Sequence, residues 1–324
     1  MTATASRVLV IFPGALGDLI CLGPGLVELA RRHRDLELMA RGELAQFACG
    51  RMGPRRAHSI DRRENAQLFT GSAPAPEAVE FFGAFQQIHS FFGADHADFR
   101  AALSRACSGP VHFHRFRPHR RGHVAAAYLR ELGFKGSPFG YRLRLRPEDV
   151  ADGRAELERL GIKRPVLLFP GSGSPKKNWP LERFIALARS LAPSPVLMVL
   201  GPAECHFRAA LADFPCLIEP TLGCLAGLAQ QALGFVGNDS GVSHLAAAAG
   251  APGVVIFGPT SPARWRPLGE VGIVRTKRLD VSWEEVARAL HRHLNGCGKR
   301  SATLIDLSPP TFEKAGSELS EASR

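Results

Sequence analysis

The feature that most limits what this chain can fold into is a recurring succession. A short, wholly apolar run is followed by a glycine-containing turn and then by a helix-periodic segment. Arg7 to Phe12 reads as a buried strand, PGALGD follows, and a helical pattern runs on to Ala30–Arg32. Val166–Phe169 leads into PGSGSPKKNWP and a helix over Leu181–Leu191. Gly234–Val236 leads into GNDSGVSH and an Ala-rich helix, and Val254–Phe257 leads into GPTSPARWRP. Strands alternating with helices specify a parallel sheet covered by helices, and apolar runs without polar alternation fit strands covered on both faces.

Weaker strands are expected around Leu36–Ala40, Ala57–Ile60, Gln87–Phe92 and Pro110–Phe113, with a helix over Val124–Leu132 stopped at Gly133. Phe134 to Pro147 (FKGSPFGYRLRLRP) has no helical period and reads as a crossover. A helix from Pro147 to Gly161 opens a second half. That half adds strand Val196–Leu200, helix Ala203–Phe214, a short strand near Leu217, helix Cys224–Ala232, strand Ile273–Arg275 and helix Trp283–Leu294. The chain has 324 residues, long for one domain and enough for two that each bury a core. The expectation is an α/β chain of two Rossmann-like β/α/β domains, residues 1–146 and 147–295, followed by a disordered Ser-, Pro- and Glu-containing tail, 296–324. Two such sheets facing each other leave a ligand cleft between the carboxyl ends of their strands.

No apolar run approaches the ~20 residues of a membrane span, and MTATASRVLVIFPGALGD lacks the layout of a secretory signal. The 7 cysteines are scattered without a CxxC pair, which favours reduced thiols over a zinc site or a disulfide frame. Lys and Arg number 41 against 30 Asp and Glu, a formal net charge of +11. Such a balance calls for an anionic partner or simply aids solubility.

Each motif has a chemical and a structural reading. PGALGD places glycines where a backbone can approach an anion at a helix N-terminus, and Asp18 either acts there or only complements the helix dipole. It is not a GxGxxG fingerprint. In GSGSPKKNWP, small hydroxylated residues and free amides precede two lysines, a suitable cradle for a diphosphate, or else a basic loop with Trp179 as a packing plug. Asp239, Ser240 and His244 have the residue types of a hydrolytic triad. His244 falls one turn from Ser240, roughly 40° off its azimuth, and a triad needs the His between the other two. A phosphate and ribose site at a helix N-terminus fits better, with Asp239 or Ser240 as alternative caps and His244 as a candidate for a neighbouring-loop bond. The His112–His123 segment (HFHRFRPHRRGH) carries arginines, histidines and aromatics. It suits an acidic acceptor or is a solvated loop, and no RNA-binding signature accompanies it. Asp95-His96-Ala97-Asp98 reads as a helix cap, and no metal site is expected.

Taken in order, these motifs resemble glycosyltransferase family 9, the ADP-heptose:lipopolysaccharide heptosyltransferases. The matching residues are Gly14 to Asp18, Pro170-Gly171-Ser172, Lys177 to Pro180, Asn238 to Ala248, Phe257 to Pro262 and Trp265-Arg266-Pro267. The resemblance implies a GT-B fold and an inverting, metal-independent glycosyltransferase with no cofactor. It implies a nucleotide-diphosphate sugar donor, ADP-heptose, an anionic lipopolysaccharide-core or related glycolipid acceptor, and no nucleic-acid partner. By resemblance Asp18 is the catalytic base, and Ser172, Gly173, Lys177, Glu204, Asp239, Ser240, Gly241 and His244 bind the donor. Gly14, Gly17, Arg115, Arg117, Arg120, Arg121 and His123 are the expected acceptor side. The expected location is cytoplasmic, peripheral at the inner face of the inner membrane. Two other readings stay open: a different GT-B enzyme on another nucleotide sugar, and a non-catalytic basic protein binding nucleic acid or anionic membrane.

Overall fold

The structure, a computed structural model, describes residues 6–71, 73–118 and 122–297. Arg120, Arg121 and all but the first two residues of the expected tail therefore lie outside the described residues.

The first sheet is built from β1 (Arg7–Ile11), β2 (Asp35–Ala40), β3 (Arg56–Ser59), β4 (Gln87–Ser90) and β5 (Val111–Phe113), all parallel, in the order β3-β2-β1-β4-β5. Its helices are α1 (Leu16–Arg32), α2 (Leu44–Ala48), α3 (Arg63–Gln67), α4 (Pro76–Gly83), α5 (Ala97–Ala106) and α6 (Val124–Glu131). The second half contains α7 (Pro147–Arg159), β6 (Val166–Phe169), α8 (Leu181–Ser190), β7 (Val196–Leu200), β8 (Cys216–Ile218), α9 (Leu222–Gln231), β9 (Gly234–Asn238), α10 (Gly241–Ala249), β10 (Gly253–Phe257), α11 (Pro262–Trp265), β11 (Val271–Arg275) and α12 (Trp283–Cys297). Its strands form a parallel sheet in the order β11-β10-β9-β6-β7-β8. In each sheet the chain winds outward from one central strand and then returns to that strand's other side. β1 thus lies beside β4 and β6 beside β9, the switch points where doubly wound sheets leave a crevice.

Strand alternation explains the cores. In β1, Val8 and Val10 enter one apolar cluster while Leu9 and Ile11 enter another on the opposite face. In β6, Leu167 and Phe169 join the same cluster as Val8 and Val10, and Val166 and Leu168 join a third. The two halves do not bury wholly separate cores, as the sequence led us to expect. One cluster runs from β1 through α1, α6 and α10 to β6, because small residues on α10 let α1 pack against it. A second close approach fastens α7 onto α9. A Cβ on Gly153 would lie 2.5 Å from the Gly227 carbonyl carbon, so side chains are excluded at that crossing.

The expected helix Ala203–Phe214 is not formed. Pro202–Arg208 is a 3₁₀ helix, followed by turns. The Glu204 carboxylate turns back to accept the Gly201 amide at 3.1 Å, a capping bond at the start of that turn. The Asp95–Asp98 stretch does cap α5, but through His96, whose Nδ1 accepts from the Phe99 amide at 3.4 Å.

Candidate functional site

The chain following β1 and the chain following β9 each turn directly into a helix, and the N-termini of α1 and α10 meet. A Cβ on Gly241 would stand 3.0 Å from Leu16 Cβ and 3.2 Å from the Gly17 amide nitrogen. One on Gly17 would stand 3.4 Å from the His244 ring. Glycine at these two positions permits the contact between helix ends, and with it the juxtaposition of Asp18 and Asp239 in one crevice.

Asp18 sits in the first turn of α1 and is 4% exposed. Both its oxygens accept from Arg117, from Nε at 3.0 Å and Nη2 at 2.7 Å. Arg117 has φ +52°, and its guanidinium lies 5.0 Å from the Phe116 ring centroid and 5.5 Å from that of Trp265. The Asp18 bond holds the Arg117 guanidinium above its usual pKa.

Asp239 is 5% exposed, and its Oδ2 accepts from Lys177 Nζ at 2.9 Å and from the Thr260 hydroxyl at 2.6 Å. Asn238 pins the surrounding loops. Its amide donates to the Pro170 carbonyl at 2.8 Å, and its Oδ1 accepts from the Trp179 amide at 2.9 Å. Trp179 is buried, with its indole N–H on the Val281 carbonyl at 3.0 Å, so the packing role is real and also positions Lys177. Ser172 Oγ lies 2.6 Å from Asn178 Oδ1. Ser240 occupies the N-cap of α10 but makes no side-chain cap bond, and Asp239 does not cap either, so the capping expectation fails at both. The first-turn amides of α10 are left without a side-chain cap, the usual condition of an anion-binding helix end.

His244 is buried between the halves with Nδ1 3.7 Å from Cys21 Sγ, a partner on α1 rather than on a loop. Burial drives its imidazole down to about 4 despite the pull of Asp239, so it is neutral near pH 7. Burial likewise pushes the Cys21 thiol up, with Asp18 and Asp239 adding to the effect. The Cys21 side chain is therefore a thiol rather than a nucleophilic thiolate.

Beside these groups is a cavity of about 550 Å³ at the carboxyl ends of β6 and β7, bordered by the start of α1. Ser172, Gly173, Glu204, Ser240 and Gly241 line it, as does Leu16 from the first half. Lys177, Asp239 and His244 lie next to that wall rather than in it. Glu219, Glu43 and Thr221 also line it and escaped the sequence reading. Glu219 and Thr221 follow the three-residue β8, and Glu43 lies in the loop after β2, where no motif singles it out. Thr260 could have been found, since it belongs to the quoted Phe257–Pro262 motif.

The expected acceptor residues scatter. Gly14 packs under Phe12 and Asp18, and Arg115 is exposed. Arg117 is committed to Asp18. His123 is a strut between halves: its Nδ1 accepts from the Ala125 amide at 3.2 Å, so Nε2 carries the proton and donates to the Arg266 carbonyl at 2.7 Å. No ring nitrogen is left over for a substrate.

Residues 123–280 match the family model of glycosyltransferase family 9 (heptosyltransferase), and the resemblance read from the motifs is thereby shown over that stretch. Lipopolysaccharide heptosyltransferase 2 of Escherichia coli K12 is 31% identical over 164 residues, 46% of this chain and 45% of that protein. The chain spans about half or less of the length of the curated relatives it matches. A glycosyl transferase family 9 structure from Veillonella parvula superposes with TM-score 0.75 at 18% identity, covering 91% of this chain and 99% of that one. The structure of E. coli ADP-heptose lps heptosyltransferase II gives TM-score 0.69 at 19% identity, covering 90% and 99%. The fold is the GT-B arrangement of two Rossmann-like sheets.

Proposed function

We propose that this chain is an inverting, metal-independent glycosyltransferase that moves heptose from ADP-heptose to a lipopolysaccharide-core or related surface-glycan acceptor. The observation that carries the reading is the meeting of two helix ends beside one cavity. Asp18 stands on one and Lys177, Asp239 and His244 gather at the other, in a chain matching a heptosyltransferase family model over 123–280. The relatives' names supply heptose, ADP and lipopolysaccharide.

In this reading the 147–295 unit takes the donor and the 1–146 unit the acceptor. The nucleoside enters the cavity near Glu204, and the diphosphate meets Lys177, Ser172, Gly173 and the amides of Ser240, Gly241 and the residues after them. Asp18 accepts the proton of an acceptor hydroxyl while that oxygen bonds to the anomeric carbon. The bond from that carbon to the diphosphate breaks, and ADP leaves with the electron pair. A single in-line displacement inverts the centre. Lys177 and the helix amides stabilise the charge that develops on the departing diphosphate. Neutral His244 packs the floor between both carboxylates without adding charge.

For Asp18 to serve as the base, Arg117 must release it. The Arg117 side chain is 51% exposed, so it can swing out, and an anionic acceptor gives its guanidinium another partner together with Arg115, Arg120 and Arg121. A cytoplasmic site of action, peripheral to the inner membrane, follows from the donor and the acceptor. None of the described helices is long and apolar enough to cross a membrane.

A thermal-shift panel of ADP, UDP and GDP with their sugars tests the donor. ADP-selective stabilisation is expected, and a UDP or GDP preference would replace ADP-heptose with another nucleotide sugar.

A further inference from the structure

A second cavity, of about 640 Å³, lies near the C-terminal end of α1. Asp18 and Arg31 are separated by roughly 20 Å of helix rise, so this cavity is well removed from the cleft. Its walls come from three segments: the end of α1, the turn between α2 and β3, and the connector that precedes α7. Arg31, Arg51, Arg55, Arg142, Arg144 and Arg146 line it, and no carboxylate is among the lining residues.

Part of that charge is engaged. Arg51 clasps Asp149 on α7, with Nε 2.7 Å from Oδ2, and donates to the Phe47 carbonyl at 2.9 Å. Arg146 donates to the Cys49 carbonyl, and Arg31 pairs with Glu28. Arg142 reaches Glu270 only at 3.9 Å. Arg55 and Arg144 are exposed and have no side-chain ion pair or hydrogen bond among the described residues.

The walls are held by backbone. The Arg144 amide donates to the Arg51 carbonyl at 3.1 Å, and the neighbouring Leu143 amide to the Ala248 carbonyl at 2.9 Å. Gly50, at φ +72°, closes the turn by donating its amide to the Pro54 carbonyl at 2.9 Å. The three segments that carry these arginines are therefore held together by backbone bonds, and the six side chains share the wall of one cavity. A guanidinium fork matches the oxygen geometry of phosphate, and two unengaged forks can each bind it in bidentate fashion. The volume lies in the range of small-ligand sites.

We propose that this arginine-lined cavity is a second anion site, taking a phosphomonoester or diphosphate group carried by a soluble molecule or by a lipid headgroup. It is independent of the transferase reading. Since Arg142, Arg144 and Arg146 belong to the connector and Arg31, Arg51 and Arg55 to the first half, an occupant bridges the two and stiffens their junction.

The test compares wild type, Arg55→Ala/Arg144→Ala and a control of equal charge, Arg34→Ala/Arg130→Ala. Inorganic pyrophosphate is titrated calorimetrically, and binding to phosphatidylcholine vesicles with and without phosphatidic acid, whose headgroup is a phosphomonoester, is measured by co-sedimentation. Lys177→Ala reports separately on pyrophosphate taken up in the cleft. The Arg55/Arg144 pair should weaken at least one of the two interactions about tenfold or more while the control retains it, and Lys177→Ala should lose only the cleft's share of pyrophosphate uptake and keep vesicle binding. Loss confined to vesicles assigns a lipid headgroup, and loss confined to pyrophosphate a soluble ligand. Binding of both probes unchanged in the Arg55/Arg144 variant overturns the site. So does an equal loss in the control, or wild type that binds neither probe. Arg55→Gln/Arg144→Gln repeats the test with longer side chains should the alanine variant unfold.

Discussion

The starts of α1 and α10 each present a buried carboxylate to the same crevice, and each carboxylate holds a cation from elsewhere in the chain. The cations differ. Asp18 is gripped at both oxygens by the planar Arg117 fork, which is itself flanked by Trp265 from the other half. Asp239 offers one oxygen to a lysine and a threonine from its own half. A guanidinium fixes the orientation of its partner, whereas an ammonium is a point charge that can pivot to a new anion with little rearrangement. In the proposed reaction the α10 end would take the diphosphate as it stands, and the α1 end would first have to open.

The sharpest way to break this comparison is Asp18→Asn. If Asp18 is the base, kcat for sugar transfer should fall about 10³-fold, with ADP affinity by calorimetry little changed. Near-normal turnover would remove Asp18 from the chemistry and leave it as the partner of Arg117 only.

Acid sets the halves against each other in another way. His244 serves the junction, and His89 with His114 serves the first half. Gln87 donates to His89 at 3.0 Å, and His89 Nδ1 lies 2.9 Å from His114 Nε2. Burial first, and then the neighbouring histidines, lower His89 to about 3 and His114 to about 4. An unfolded imidazole titrates near 6.5, so between that pH and the folded value the unfolded chain binds more protons. The contribution is complete above about 6.5 and is lost as the pH falls towards 4. Each of the three histidines should make unfolding free energy decline by up to ~1.4 kcal/mol per pH unit across that window. Denaturant titrations should show the slope reduced by one such increment in His244→Gln and, equally, in His114→Gln. A slope unchanged in one variant would assign the acid sensitivity to the other half.

Lys177→Ala should weaken ADP about tenfold, the loss of one charge-assisted contact. An unchanged Kd would mean that Lys177 stays with Asp239 when the donor binds. Arg117→Lys keeps the charge and loses the fork. It should lower stability by about 1 kcal/mol, a buried-pair cost discounted for the exposure of Arg117. In the same variant, an acceptor KM that rises while ADP affinity holds would sharpen the contrast between the two helix ends.

Much of the architecture was legible. The strand runs from Arg7, Val166, Val196 and Val254 were readable because parallel strands covered on both faces are solidly apolar. The short helices α2, α3 and α11 were not, since four or five residues hold too little of a helical period. Ala203–Phe214 failed for the opposite reason. Phe207 and Leu211 are spaced for a helix and do pack into the core, but the segment winds only over Pro202–Arg208, as a 3₁₀ helix, and continues as turns. The residues expected to bind the donor lie at the carboxyl ends of β6, β7 and β9, around the switch point between β6 and β9. The basic segment was legible only as charge. That Arg117 would be spent on Asp18, 99 positions away, and His123 on the Arg266 carbonyl, 143 positions away, has no local signature.

By itself the sequence determined the parallel strands, the glycine turns at their ends and the residue types able to hold a diphosphate. These depend on side-chain periodicity and backbone freedom within a few positions. The tertiary structure alone decided which cation each carboxylate holds, that one core joins both halves, and that six arginines from three segments surround one cavity. Ion pairs and cavities form between segments brought together by burial of apolar surface, and sequence spacing does not encode that distance.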